Sequence, residues 1–210
     1  MNAKLIGLFS GFPTHHFTDE IAEVLRKNLD RRKCLVFISA DSENYAQNDD
    51  DENGMHQMFA ERDMEFAEHH VIDRRTSAED AADLIRHADC IWLMGGEVTW
   101  QMKLIRDLNL IPELLGSIAV ILGVSAGSMN LGKHVAELWE SKTFYEGIGL
   151  TDIIIKAHYE PDAYFIPALK EMSMIHPITA MEDESAIFIK QDKILKIGKM
   201  HRVDKGKIYD

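Results

Sequence analysis

The sequence is poor in cysteine, poor in positive charge and without a long apolar run. Two cysteines in 210 residues cannot build a disulfide framework, so a reducing cytoplasm is the expected location. Lys and Arg number 23 against 35 Asp and Glu, a formal net charge of −12. That balance argues against a sequence-independent nucleic-acid binder, which needs a basic footprint, and against an anionic membrane surface. The longest apolar stretch, residues 118–124, is interrupted by Gly123 and falls far short of the roughly 20 residues of a membrane span. The early run Leu5-Ile6-Gly7-Leu8-Phe9 leads into Gly11-Phe12-Pro13, not into a small-x-small cleavage site, so no targeting segment is expected.

What is present is the mixture of a globular chain, 46% hydrophobic and 28% charged, long enough for one substantial core. Short β-rich runs alternate with helical stretches. Strands are expected over residues 4–10, 34–40, 70–73, 90–94, 118–123 and 153–157. Runs such as Leu35-Val36-Phe37-Ile38 are continuously apolar, as in parallel strands buried on both faces. Helices are expected over 19–29 with Thr18 as N-cap, over 55–68, over 78–88 behind a Ser77/Asp80 capping box, and over 100–108 and 161–172. Residues 186–190 and 194–197 read as an antiparallel hairpin. The whole chain, residues 1–210, therefore reads as a single α/β domain, doubly wound around a mostly parallel sheet, with a C-terminal antiparallel hairpin.

Residues 41–53 carry six acids and no base. Asp49-x-Asp51-x-Asn53-Gly54 matches the first half of a calcium loop, but Ala60 stands where a bidentate Glu is required. The expected reading is a solvated acidic loop. Nothing else demands a metal or another cofactor. Adjacent histidines, His15-His16 and His69-His70, point away from each other along a helix or strand. Cys34 and Cys90 fall in expected strands and read as small core residues.

The informative stretch is Ile118-Ala119-Val120-Ile121-Leu122-Gly123-Val124-Ser125-Ala126-Gly127-Ser128. A buried strand runs into Gly-x-Ser-x-Gly and then a helix start, the pattern of a nucleophile on a sharp strand-to-helix turn. The turn would lift Ser125 above the C-terminal edge of the sheet, where the Ala126 N–H can face an oxyanion. A second turn, Gly95-Gly96, follows the strand at 90–94; the Gly96 N–H, or equally that of Gly95, is a candidate second donor. A serine needs a base. Of ten histidines, His158 ends an apolar run, which places it on the same edge as Ser125. His69, His70 and His87 are expected at or near helix ends away from it. Glu182-Asp183-Glu184 supplies three candidates for the carboxylate that orients the imidazole.

Gly123-Val124-Ser125-Ala126-Gly127, Gly95-Gly96-Glu97-Val98-Thr99-Trp100-Gln101, His158-Tyr159 and Glu182-Asp183-Glu184-Ser185-Ala186-Ile187 occur in this order. They resemble the serine peptidases related to dipeptidase E (aspartyl dipeptidase) and cyanophycinase, over about residues 91–189. The resemblance implies a flavodoxin-like, class I glutamine amidotransferase-like sheet. It also implies Ser125 as nucleophile, His158 as base and Asp183 as acid, with Gly96 and Ala126 as oxyanion donors. The glycine turn departs from the family's usual Gly-Gly-x-Asn-Thr, and Asp183 stands where Glu is frequent, so Glu182 and Glu184 stay open. The implied activity is hydrolysis of small peptides, with an aspartyl or β-aspartyl residue beside the scissile bond. The expected partner is a small peptide, with no nucleic acid and no membrane, and a homodimer is allowed. Two other readings remain: an α/β-hydrolase-type esterase, with Asp183 preceding His201, and a non-catalytic relative that binds through the same cleft.

Overall fold

The computed structural model describes residues 4–138 and 142–210. The chain alternates strands and helices through β1 (Leu5–Phe9), α1 (Asp19–Asn28), β2 (Cys34–Ile38), α2 (Tyr45–Ala60), β3 (Glu68–Ile72), α3 (Ala78–His87) and β4 (Cys90–Leu93). It continues through α4 (Val98–Asp107), α5 (Ile111–Gly116), β5 (Val120–Val124) and α6 (Ala126–Leu131). Thr18 and Ser77 cap α1 and α3 by accepting from the backbone N–H groups of Ile21 and Asp80. The second half is mainly strands: β6 (His134–Glu137), β7 (Thr143–Glu146), β8 (Ile155–Lys156), then α7 (Ile166–Met172) and β9 (Ile178–Met181). The last four are β10 (Ala186–Lys190), β11 (Lys193–Ile197), β12 (Met200–Asp204) and β13 (Lys207–Tyr209).

Seven strands form the main sheet in the order β11-β10-β1-β5-β4-β2-β3. The five from β1 to β3 are parallel, and the hairpin β10–β11 adds antiparallel to β1. Each parallel strand feeds both faces, because successive side chains alternate. Val36, Ile38, Ile91, Leu93 and Ile121 pack with α3, α4, α5 and α6. Leu35, Phe37, Trp92 and Leu122 pack with α1 and α2 on the opposite face. This is the doubly wound α/β architecture with a terminal hairpin. Cys34 and Cys90 belong to these two opposite cores. Both are free thiols; burial pushes that of Cys34 up to about 11 and that of Cys90 well above its ordinary value.

Three expectations are corrected. The acidic stretch 41–53 is not a loop: from Tyr45 onward it is the first half of α2. Its inward positions include the polar Asn48 and Glu52, held by Ser39 and Asp73 and by His69 respectively, so no apolar period marks the helix. The helix expected over 55–68 accordingly starts earlier and ends at Ala60, and His69 and His70 lie in β3, not near helix ends. Finally, the strand expected over 153–157 shrinks to Ile155–Lys156 and does not join the main sheet. The antiparallel β10 takes the place beside β1, and β8 pairs with β9 in a separate four-stranded sheet, β13-β12-β9-β8. That sheet has its own core with α7, built on Leu169, Met172, Ile178 and Val203.

Candidate active site

The turn after β5 is tight for identifiable reasons. Ser125 has φ 52° and ψ −114°, a region costly for a residue with a side chain, by about 1–3 kcal/mol. Its N–H donates to the Phe9 carbonyl at 2.9 Å, and its own carbonyl accepts from the Met129 N–H at 3.1 Å. The flanking glycines allow the close approach. A Cβ on Gly123 would lie 2.6 Å from the Gly127 backbone, and one on Gly127 would lie 2.2 Å from the Leu93 carbonyl oxygen. Ser128 ties the turn to β1, its Oγ accepting from the Phe9 N–H at 2.7 Å.

Two sheets meet at Ser125. Its Oγ lies 2.8 Å from His158 Nε2, and His158 Nδ1 lies 2.7 Å from Asp183 Oδ1. Ser125 leaves the C-terminal end of β5 in the main sheet. His158 and Asp183 follow the parallel pair β8 and β9 of the second sheet. His158 is itself left-handed, with φ 54°.

Among the three adjacent acids, only Asp183 reaches His158 among the described residues. Glu182 takes His201 Nε2 at 2.9 Å and Lys199 Nζ at 3.0 Å. The His201 hydrogen bond, then Lys199, holds its carboxyl below the usual value. Glu184 accepts from Thr14 Oγ1 at 3.3 Å. His201 is buried with Nδ1 on Asp210 at 2.9 Å, so both its ring nitrogens are occupied away from Ser125.

Two residues of the loop after β1 complete the assembly, and sequence reasoning missed both. Ser10 is fully buried; its Oγ accepts from the His158 N–H at 2.7 Å and lies 2.9 Å from the Met181 carbonyl and 3.2 Å from Asp183 Oδ1. A Cβ on Gly11 would lie 2.5 Å from Asp183 Oδ1 and 2.6 Å from His158 Cε1. The only signal in the sequence was their place after the first strand.

β4 and β5 are adjacent, with Leu93 opposite Gly123, so the Gly95-Gly96 turn stands beside Ser125. A Cβ on Gly95 would lie 3.5 Å from Ser125 Cβ. Gly96 has φ 133°, open to glycine alone at little cost. Ala126 opens α6, where a helix N–H has no intrahelical partner.

A hydroxyl, an imidazole and a carboxylate in this relay can move a proton from oxygen to nitrogen and back. The surrounding fold is one already seen. The chain has a TM-score of 0.72 and 16% identity with the crystal structure of a peptidase from an acI-B1 Actinobacterium, covering 97% of this chain and 92% of that one. Against a Listeria monocytogenes EGD-e protein assigned to peptidase E, the TM-score is 0.70 at 16% identity, covering 94% of this chain and 99% of that one. At such identity the likeness is one of fold. No curated protein sequence matches the chain. Residues 6–197, from the second position of β1 to the end of β11, match peptidase family S51, and the chain belongs to that family.

Proposed function

We propose that this chain is a serine-type peptidase of small peptides, with Ser125 as nucleophile, His158 as general base and acid, and Asp183 as orienting carboxylate. The observation that carries the reading is the continuous relay from Ser125 Oγ through both nitrogens of His158 to Asp183, at 2.8 and 2.7 Å. Ser125 attacks the scissile carbonyl as its proton passes to Nε2. The imidazolium that forms is stabilised by Asp183 across Nδ1–H. The same proton returns to the leaving amine, and water repeats the cycle on the acyl-enzyme. The N–H groups of Gly96 and Ala126 hold the oxyanion, each donor lowering the barrier by about 2.7–4 kcal/mol.

The esterase reading needs His201 at Ser125, and that imidazole is engaged by Glu182 and Asp210. Two buried, free thiols fit a cytoplasmic setting, and no helix among the described residues is long and apolar enough to cross a membrane. An aspartyl or β-aspartyl preference would call for a cationic group beside Ser125. Among the described residues, no Lys or Arg lines the cavity that Gly95 borders.

The test is a panel of dipeptides and tripeptides, Asp-X and β-aspartyl members included, offered to the native protein and to Ser125→Ala. Loss of the nucleophile from such a unit costs on the order of 10⁶-fold in kcat, so the variant should be inactive with an unchanged melting temperature. Turnover retained by Ser125→Ala would overturn the mechanism.

A further inference from the structure

A mixed cluster of metal-ligand side chains stands at the opposite end of the main sheet from Ser125. Cys34 opens β2, Glu68 opens β3, and the two are partners in the parallel register. Alternation along a strand puts His70 on the same face as Glu68. The Cys34 sulfur, a Glu68 carboxylate oxygen and a His70 ring nitrogen all lie within 4.8 Å of one another. These are N-terminal strand ends, whereas Ser125 follows the C-terminal end of β5.

Packing explains why the three converge. Cys34, Val36, Ile38 and Ile72 belong to one core, together with Ala81 and Ile85 of α3. Val71 points the other way and packs against the opposite core. His69 shares that second face and meets Glu52 of α2 at 2.9 Å. The adjacent His70 therefore points to the Cys34 face. Among the described residues, neither its ring nor the Glu68 carboxylate has a hydrogen-bond or ion-pair partner. Cys34 is only 4% exposed, and its thiol has no hydrogen-bond partner there either.

The donor set is specific in kind. Thiolate sulfur and imidazole nitrogen suit zinc, whereas magnesium and calcium take oxygen. Zinc bonds of about 2.0–2.3 Å in a tetrahedron set donor atoms about 3.3–3.8 Å apart. The exposed Glu68 and half-buried His70 side chains can draw in by about an ångström to reach that spacing. Cys34, buried in its strand, is the fixed ligand. Both ligand-bearing elements are strands of the main sheet, a stiffer support than loops.

We infer that Cys34, Glu68 and His70 form a zinc site with three protein ligands, water filling the fourth position. Zinc enters as the Cys34 thiol proton leaves to solvent. β3 is an edge strand of the main sheet, so the ion ties that edge to its neighbour β2. An ion that binds only the folded chain stabilises it. The inference is independent of the peptidase reading of Ser125.

The test is a zinc titration of the full chain, kept reduced with a phosphine, followed by calorimetry and by thermal unfolding. The tightest site should hold a single zinc ion per chain and raise the melting temperature; magnesium should do neither. Cobalt(II) in place of zinc is the optical probe. It should give a thiolate-to-cobalt charge-transfer band and the intense visible bands of a tetrahedral site. Cys34→Ser should abolish the charge-transfer band. It should also weaken zinc at least about 100-fold, the upper end of what losing an outer-shell partner costs. His70→Gln changes a half-buried edge position and should weaken zinc by a similar factor, which keeps the experiment decisive should Cys34→Ser not fold. Cys90→Ala removes the other thiol and should leave both the band and the affinity in place. Circular dichroism checks that the variants fold. Failure of the native chain to bind zinc, or an affinity that survives His70→Gln and Cys34→Ser unchanged, would overturn the inference.

Discussion

Gly11 has no side chain because the His158–Asp183 pair occupies the space one would fill. Its φ lies outside the left-handed region, so alanine is acceptable to the backbone and the effect is steric. Gly11→Ala should displace the imidazole from Ser125, and a shift of about 1 Å costs on the order of 10²-fold in rate. The expected outcome is a fall in kcat with a nearly unchanged melting temperature, read by steady-state kinetics and calorimetry on one preparation. Ser10 acts beside it, its hydroxyl against the His158 N–H and near Asp183 Oδ1. Neither residue was legible as functional in the sequence. Ser125, His158 and Asp183 carry recognisable chemistry, whereas a serine and a glycine after a strand look like any βα loop.

At the scale of elements, the turn from β5 into α6 depends on backbone-to-backbone contact. Gly127 faces the Leu93 carbonyl of β4, where a Cβ would lie at 2.2 Å, and a carbonyl in a central strand cannot step aside. Gly127→Ala should therefore push α6 from the sheet, cost about 1–3 kcal/mol and remove activity by moving Ser125. Gly95→Ala is the contrast: its nearest neighbour would be at 3.5 Å, so stability should hold. Denaturant unfolding of the two variants checks the pair. Most of the parallel strands were legible because their apolar runs need no partner to identify them. Helix α2 was not, since Asn48 and Glu52 point inward and are satisfied by residues distant in sequence. The tiny strand β8 was legible as a strand but not as a member of the second sheet, because the place beside β1 is taken by β10 from much later in the chain.

For the whole molecule, a net charge of −12 sets a negative field around the protein. Such a field raises the local concentration of cations and is screened by salt, with a Debye length of about 10 Å at 0.1 M and about 3 Å at 1 M. The kcat/KM for a lysyl or arginyl tripeptide should fall steadily as ionic strength rises across that range. A neutral tripeptide with norleucine in the same place should change little; stopped assays in a salt series compare them. Parallel slopes for both peptides would remove the electrostatic account.

The chain's order of residues by itself determined the alternating α/β pattern, the strand-to-helix turn at Ser125 and the three kinds of group the chemistry needs. These are local matters, set by apolar period, glycine spacing and side-chain type. Only the tertiary structure decided which acid meets His158, that two sheets rather than one deliver the relay, and that the acidic segment is a helix held by Asp73 and His69. Each of those is a contact between residues far apart in the chain. Glu182, Asp183 and Glu184 are chemically close to interchangeable until the crossing from β9 to β10 aims one at His158, one at His201 and one at Thr14.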